Sequence, residues 1–208
     1  GRTNTSGEDY VAWCFKAGGA PTATNTGGQT PTSGSKMVDG SVVTDNYPTA
    51  DIYPTKQSVN NKLGFSVTKY TGGSSGDSVP HGLDTTPEIY IIKRTNSTSN
   101  WWVYTVEGGD FQYLKLNGTD AGIDADQYYA RPTGSLIEQG NSGENIMYSF
   151  ASKIGVSKVG SYTGNGLTTN GPVIDFGFEP SWIMIKSTSF AERWVIYDNK
   201  RSTSNPRS

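Results

Sequence analysis

The stretch EIYIIKRTNSTSNWWVYT, residues 88–105, is followed later in the chain by the similar stretch SWIMIKSTSFAERWVIYD, residues 181–198. The two lie 93 positions apart (181 minus 88), and this offset aligns Trp101 with Trp194. Each copy consists of two runs of β-branched and aromatic residues joined by a polar connection, which predicts a β-hairpin. Self-similarity at a fixed spacing indicates repeated supersecondary units of about 93 residues.

A second similarity links SGEDYVAWCFKAGG, residues 6–19, to SGENIMYSFASKIG, residues 142–155, with one inserted residue. The chain also begins in the middle of a unit, which predicts a fragment or a processed product. A free half unit would expose strand edges, so we expect either Tyr10–Phe15 or a neighbouring chain to cover it. The predicted division is a tail strand of a preceding repeat (1–19), a Pro/Gly/Thr-rich insertion or arm (20–62), a complete repeat (63–154) and the first half of a further repeat (155–208).

Composition agrees with an all-β protein. The chain of 208 residues contains 26 Gly and 10 Pro, which divide it into short runs rich in residues that suit a pleated surface. We therefore predict an antiparallel β-sandwich built from tandem units. The predicted strands are Phe65–Tyr70, Glu88–Lys93, Trp101–Val106, Tyr113–Leu116, Ile146–Phe150, Val156–Tyr162, Trp182–Lys186 and Trp194–Tyr197.

Charge and cysteine content restrict the partners. The formal net charge of −2 provides no field that would attract nucleic acid, and no apolar run is long enough to span a bilayer. Cys14 is the single cysteine, so an intrachain disulfide is excluded. Because apolar residues make up only 33% of the chain, we expect a thin core that is supported by homo-oligomeric assembly. The aromatic residues assigned to assembly are Tyr10, Trp13, Phe15, Tyr47 and Tyr53.

Catalytic chemistry finds little support in the sequence. His81 is the only histidine, and a nucleophilic triad would have to combine it with Ser78 and Asp84. Pro80 and Gly82 flank it, however, which favours a turn. Carboxylates flanking a glycosidase cleft are available at Glu88, Glu107 and Asp110, but nothing in their spacing pairs them. We therefore expect no enzymatic activity and no organic cofactor.

Three carboxylates follow one another in NGTDAGIDADQ, at Asp120, Asp124 and Asp126. Carboxylate oxygens are the ligands that calcium prefers, so these residues are a candidate metal site. Their spacing differs from that of the helix-flanked calcium loop, and a solvated acidic loop is the alternative. Zinc is excluded because one histidine and one cysteine are too few ligands.

The aromatic residues Trp101, Trp102 and Tyr104 are the candidate ligand-binding residues, because an exposed aromatic face stacks on sugar rings or on a partner. Core packing is the alternative, and it is favoured for Trp101 and Tyr104 because both recur in the second copy. Trp102 aligns with Val195 instead. Adjacent strand residues point to opposite faces, so one of the two tryptophans is expected at the surface.

The ordered motifs YVAWCFKAG, HGL, SGE and GSYTGNG, followed by a GF.P.W.MIK pattern, resemble a family of repeated β domains in structural and tail-associated proteins of marine bacteriophages. The resemblance covers the chain outside the insertion. The insertion itself departs from the family's pattern, in which tandem units pack directly on one another. It implies a virion component that has no established catalytic set.

Together these observations predict a non-enzymatic structural or interaction protein of a bacteriophage virion, in a fibre, a tail or a surface decoration. Its partners would be other copies of itself and other virion proteins. The alternative is a carbohydrate-binding module that contacts a host-surface glycan during attachment.

Overall fold

The computed structural model describes residues 6–7, 12–26, 28–107, 109–139 and 141–200. These residues form an all-β structure without helices, and therefore without a helix long and apolar enough to cross a membrane. The strands are β1 (Lys36–Val38), β2 (Ser41–Val42), β3 (Lys56–Asn60), β4 (Phe65–Gly72), β5 (Ser78–Pro80), β6 (Ile89–Arg94), β7 (Trp101–Glu107), β8 (Asp110–Lys115), β9 (Ile123–Asp124), β10 (Leu136–Glu138), β11 (Gly143–Phe150), β12 (Trp182–Ile185) and β13 (Val195–Asp198).

Nine strands form one mixed sheet in the order β2-β1-β3-β4-β11-β6-β7-β8-β9. All neighbouring pairs are antiparallel except β1 and β3, which are parallel. Two further ribbons, β5–β10 and β12–β13, stand apart from this sheet. The long strands β4 and β11 lie in the middle of the sheet and pair with each other over eight residues.

The main core lies on one face of the sheet. Alternation along β6 and β7 points Tyr90, Ile92 and Tyr104 to this face, where all three are buried. The rings of Tyr90 and Tyr104 stack with centroids 4.7 Å apart. The ribbon β5–β10 contributes Val79 and Ile137 to the same cluster, so it closes the core from the opposite side.

The five strands predicted within residues 63–154 are confirmed as β4, β6, β7, β8 and β11, with β8 and β11 beginning three residues earlier than expected, whereas β5, β9 and β10 were not predicted. The predicted strand Val156–Tyr162 is wrong: the region forms only an isolated bridge between Lys153 and Ser157. The matching strand β4 is hydrogen-bonded to a neighbour on each side. Among the described residues, 158–162 have no such neighbours, and an extended segment becomes a strand only through pairing.

Within the segment predicted to be an insertion or arm (20–62), residues 36–60 contribute β1, β2 and β3 to the nine-stranded sheet. β3 pairs with β4 from Lys56↔Lys69 to Asn60↔Phe65. Upstream, the buried Asn25 amide donates to the carbonyls of Gly28 (2.9 Å) and Pro54 (3.0 Å). Pro and Gly in this segment separate very short strands rather than marking a free arm.

The hairpin β12–β13 packs on the sheet face opposite to the main core. The indole Nε1 of Trp194 donates to the Lys115 carbonyl (2.9 Å), and the Gly122 amide donates to the Thr188 carbonyl (2.8 Å). Val103, which points to this face of the sheet, is fully buried. The hairpin therefore forms a second layer.

Candidate assembly surface

The two similar stretches form hairpins with the same register. In the first hairpin, β6–β7, Ile89 pairs with Thr105, and in the second hairpin, β12–β13, Trp182 pairs with Asp198. Adding 93 to each member of the first pair gives the second pair. The backbone bond that ends each ladder also recurs, from Val106 to Glu88 (2.8 Å) and from Asn199 to Ser181 (3.2 Å).

A lysine near the end of the first strand of each hairpin also makes the same bond. Lys93 Nζ donates to the carbonyl of the next residue, Arg94 (2.9 Å), and Lys186 Nζ donates to the carbonyl of Ser187 (2.7 Å). Lys93 is additionally bonded to the Ser99 carbonyl in its own connection (3.0 Å). The two hairpins are thus alike in local detail.

Their surroundings differ. β6 lies between β7 and β11, and β7 lies between β6 and β8. Within the described part of the chain, β12 and β13 pair only with each other. Among the described residues, no strand pairs with β12 on the edge that faces away from β13, and such an edge is a template for pairing with another strand.

The side chains that form the core in the first hairpin are exposed or half-buried in the second. Tyr90, Ile92 and Tyr104 have relative exposures of 0, 0 and 3%, whereas their counterparts at the 93-residue offset are all half-buried. Val195, the counterpart of Trp102, is 38% exposed. We call the counterparts, together with Val195, the outer face: Ile183, Ile185, Val195 and Tyr197.

Further apolar residues are exposed or half-buried between β11 and β13. The half-buried rings of Phe176 and Phe178 line a cleft of about 260 Å³ beside the turn around Gly155. The exposed residues between the first unit and β13 include Ile154, Val156, Tyr162, Leu167, Val173, Ile174 and Phe190.

Four aromatic rings meet where the N-terminal segment, the sheet and the second hairpin come together. The Phe15 ring lies 5.7 Å from Phe65, 5.5 Å from Phe150 and 5.8 Å from Trp182, measured between centroids. Phe65 and Phe150 stack on each other at 4.8 Å. We call these four residues the aromatic junction, and it connects the second hairpin to β4 and β11 of the main sheet.

The other residues assigned to assembly have different positions. Trp13 is 38% exposed, and Tyr10 lies outside the described residues. Tyr47 is buried and packs on Tyr53 at 6.2 Å, with the Lys36 ammonium 4.8 Å from its ring, and burial raises its pKa to about 12. The assembly role of Tyr47 is therefore corrected, because its ring is already packed inside the chain.

The candidate ligand-binding aromatics do not share a surface. Tyr104 is in the core, and Trp102 packs against the same core, with its ring 5.7 Å from that of Tyr113. Trp101 points to the other face, is 37% exposed and lies 6.4 Å from Tyr148. Alternation along β7 separates the two tryptophans as expected, but the exposed one is Trp101, the residue for which core packing was favoured.

The three carboxylates of the acidic loop have separate partners. Asp120 is paired with Lys115 (3.1 Å), and Asp126 forms a two-point ion pair with Arg131 (2.8 and 2.6 Å). Asp124 accepts the Asp126 amide (3.0 Å). The Lys115 and Arg131 side chains hold the pKa values of Asp120 and Asp126 below their usual range. No group of three metal-ligating side chains occurs among the described residues, so this arrangement does not support the calcium prediction.

The residues of the hypothetical triad are also engaged elsewhere. His81 is fully buried, its Nδ1 accepts the Leu83 amide (3.2 Å), and its other ring nitrogen faces the Thr133 carbonyl (3.2 Å). Burial lowers its pKa to about 4, although the bond to Thr133 opposes this shift. Ser78 donates to Asp51 (2.7 Å), and the third residue of the triad, Asp84, pairs with Lys153 (2.9 Å). These bonds separate the three side chains.

Gly82 explains the local sequence around His81. Its φ is +83°, a left-handed conformation that glycine adopts without strain, and a Cβ there would lie 2.6 Å from the Val59 side chain and 2.8 Å from Gln57. The turn interpretation of Pro80–Gly82 agrees with this geometry. The histidine serves the packing of the turn against the core.

The outer face was not among the predicted site residues. The signal that points to it is the comparison of aligned positions: the core residues Tyr90, Ile92 and Tyr104 have apolar counterparts at the 93-residue offset. The N-terminal aromatics were selected from the similarity of residues 6–19 to residues 142–155.

Residues 40–208 match the family described as "Domain of unknown function (DUF7483)". The match covers most of the 208 residues, and the chain belongs to this family. No curated protein matches the chain. No solved structure matches it either.

Proposed function

We propose that this protein is a non-enzymatic structural module of a bacteriophage virion that acts by associating with further copies of itself and with other virion proteins. The observation that carries the proposal is the contrast between the two hairpins. Equivalent residues are buried in the first hairpin and exposed or half-buried in the second, on a face that is apolar in both. A surface with core composition is suited to association.

The free energy for association would come from the outer face and its edges. Burying a half-exposed Ile, Val or Tyr contributes on the order of 1 kcal/mol per residue. The edge of β12 that faces away from β13 adds edge-to-edge hydrogen bonds, as in other cases where a strand is added to a sheet. The resulting assembly would be a β-sandwich of tandem units, in which the second hairpin acquires the neighbours that surround the first.

The assignment to a virion is supported by the resemblance of the ordered motifs to repeated domains of phage structural and tail-associated proteins. In this proposal the protein works outside the cell, as part of the extracellular particle.

The test is the molar mass in solution, measured by light scattering over a range of concentrations. We expect a stable oligomer for the wild type and, for Ile185→Lys or Val195→Lys, a dissociation constant at least about tenfold higher, because a charge would be buried in the interface. Val42→Lys is the matched control, since Val42 is 51% exposed on β2, away from the outer face. A monomeric wild type, or equal weakening by all three changes, would contradict the proposal.

Glycan binding in host attachment is the second candidate, and the exposed Trp101 beside Tyr148 is the feature that favours it. Trp102 and the acidic loop, which the sequence suggested for glycan binding, give it less support, because Trp102 packs on the core and the loop carboxylates are paired with Lys115 and Arg131. A glycan array with the wild type and Trp101→Ala distinguishes the candidates. A signal that is lost in Trp101→Ala would support glycan binding over a purely structural role.

A further inference from the structure

A row of directly paired residues crosses the face of the main sheet that is opposite to the core. Along the row, the ladders pair Lys56, Lys69, Ile146, Lys93 and Trp101, each with the next. Directly paired residues point to the same face, so these five side chains lie on one surface. The row crosses β3, β4, β11, β6 and β7, and four strand spacings give it a length of about 19 Å. We call these five residues the lysine row.

The lysine row is accessible from solvent along its whole length. Trp101 is 37% exposed, and the side chain of Lys69 is 44% exposed. The other three residues are half-buried. An elongated ligand that lies across the strands could therefore contact every position of the row.

The row carries more positive than negative charge. Lys69 is paired with Glu144 (3.4 Å). Lys93 donates to two backbone carbonyls (2.9 and 3.0 Å), which leaves its charge in place and one of its three ammonium donors unused. Among the described residues, no carboxylate forms an ion pair with Lys56 or Lys93. Three ammonium groups and one carboxylate make the surface positive.

This arrangement lowers stability in the unbound protein. Lys56 and Lys69 are directly opposite each other in the antiparallel β3–β4 ladder, and like charges in such a pair are destabilising. Local conflicts of this kind are expected at functional sites. An anionic ligand would remove the repulsion, so the pair favours binding of negative charge.

The aromatic end of the row is suited to a sugar ring. The Trp101 ring stacks on Tyr148 with centroids 6.4 Å apart and an interplanar angle of 21°. The Trp101 amide also donates to Asn117 Oδ1 (2.9 Å), which fixes the backbone at this position. An exposed indole that is already held in place loses little conformational entropy when a flat apolar face stacks on it.

The second hairpin repeats the last two residues of the row, as Lys186 and Trp194, in different surroundings. The Trp194 indole donates to the Lys115 carbonyl (2.9 Å), so it attaches the hairpin to the sheet. Lys186 lies within the electrostatic range of the Glu192 and Asp120 carboxylates. The combination of an unneutralised lysine with an exposed indole is therefore a property of the first unit.

We propose that the lysine row binds an anionic glycan, a chain of sugar units that carry carboxylate or sulfate groups. One sugar stacks on Trp101, and the acidic groups lie at Lys93 and, farther along the row, at Lys56. This inference deepens the second candidate function and rests on it, because it names the chemical class of glycan that Trp101 would contact.

Nucleic acid is the less favoured occupant. The chain has a formal net charge of −2, and the two lysines without a carboxylate partner are three strand spacings, or about 14 Å, apart. Phosphates follow one another much more closely along a nucleic acid strand. The row provides too few charges to match them.

The experiment measures the dissociation constants of dextran sulfate and uncharged dextran, which share one backbone, by biolayer interferometry at low ionic strength. Oligogalacturonate is the carboxylate probe. We expect the wild type to bind at least one charged probe about tenfold more tightly than dextran, and the affinity to fall as salt is added. The charged probe that binds more tightly identifies the acidic group.

The variant Lys56→Gln should raise the dissociation constant of the charged probe about three- to fivefold. Lys62→Gln is the matched control: it changes the net charge equally, but Lys62 is exposed in the turn after β3, outside the row. It should leave the affinity unchanged. Trp101→Ala should raise the dissociation constant about tenfold. Circular dichroism establishes that each variant folds.

Equal weakening by Lys56→Gln and Lys62→Gln, or equal affinity for charged and uncharged probes, would overturn the inference. Tighter binding of single-stranded oligothymidylate, weakened by Lys56→Gln, would assign the row to nucleic acid and overturn it as well. A neutral glycan that binds through Trp101 and is insensitive to Lys56→Gln would reject the anionic class but leave the second candidate function standing. No glycan binding by the folded wild type would reject both.

The assembly proposal is decided separately by light scattering, so its failure is distinguishable from the failure of this inference.

Discussion

The first hairpin, β6–β7, and the second hairpin, β12–β13, share their register, their closing backbone bond and their lysine contact, but they differ in burial. The first is enclosed by β8, β11 and the β5–β10 ribbon. The second packs on the sheet by one face only. The comparison teaches that local sequence is sufficient for a hairpin, whereas burial depends on which strands surround it.

The largest expected difference concerns the aligned tyrosines. Tyr104→Ala should lower the free energy of unfolding by about 3–5 kcal/mol, because it removes a buried ring that stacks on Tyr90 and leaves a cavity. Tyr197→Ala should cost only about 1 kcal/mol, since the Tyr197 ring is half-buried. Urea denaturation of both variants under conditions that keep the protein monomeric measures the difference. Equal losses would mean that the second hairpin is as enclosed as the first.

The next effect depends on pH. His81 is buried with its pKa lowered to about 4, whereas its aligned position is Ile174, which is 40% exposed and does not titrate. In the unfolded chain the imidazole of His81 binds a proton near pH 6.5, whereas in the folded chain it stays neutral down to about pH 4. The contribution of the neutral His81 to the free energy of unfolding is therefore fully present above pH 6.5 and falls as the pH decreases towards 4. The loss should reach about 3 kcal/mol.

Denaturant midpoints measured between pH 7 and pH 4 check this prediction. The variant His81→Gln, which keeps a polar side chain without a titrating group, should show a smaller slope between pH 6.5 and pH 5, above the usual carboxylate range. A slope that is unchanged in the variant would show that another group is responsible.

The smallest effect concerns the attachment of the second hairpin. Trp194→Phe removes the bond from the indole nitrogen to the Lys115 carbonyl and should cost about 1 kcal/mol. We expect faster amide exchange in β12–β13, while exchange in β6–β7 stays the same. The aligned control, Trp101→Phe, keeps an aromatic ring beside Tyr148 and should leave exchange in β12–β13 unchanged. Similar changes from both variants would indicate a general loss of stability instead.

Much of the fold could be predicted because strand alternation is a local property. The all-β class, the two hairpins and the strands β4, β8 and β11 follow from runs of β-branched and aromatic residues between turn residues. The short strands β5, β9 and β10 were not predicted. The strands within 36–60 could not be predicted, because they are only two to five residues long and their composition is that of a loop. Their pairing with β4 is a long-range contact without a local signal.

The candidate site was less predictable than the fold. Asp120 and Asp126 were grouped by their spacing, but Lys115 and Arg131 neutralise them separately, and sequence spacing does not reveal such partners. Tyr47 was assigned to the surface, yet its ring is covered by neighbours from within the chain. Side-chain surroundings in a sheet are supplied by distant segments, so residue type alone is a poor guide to exposure.

The sequence by itself determined the all-β class and the two hairpins, because alternation and turn chemistry act over a few neighbouring residues. Only the tertiary structure decided that the same apolar pattern is core in β6–β7 and surface in β12–β13. The physical reason is that burial is a property of the surroundings: strands brought from elsewhere in the chain remove water from Tyr104, and among the described residues no strand does so for the outer face.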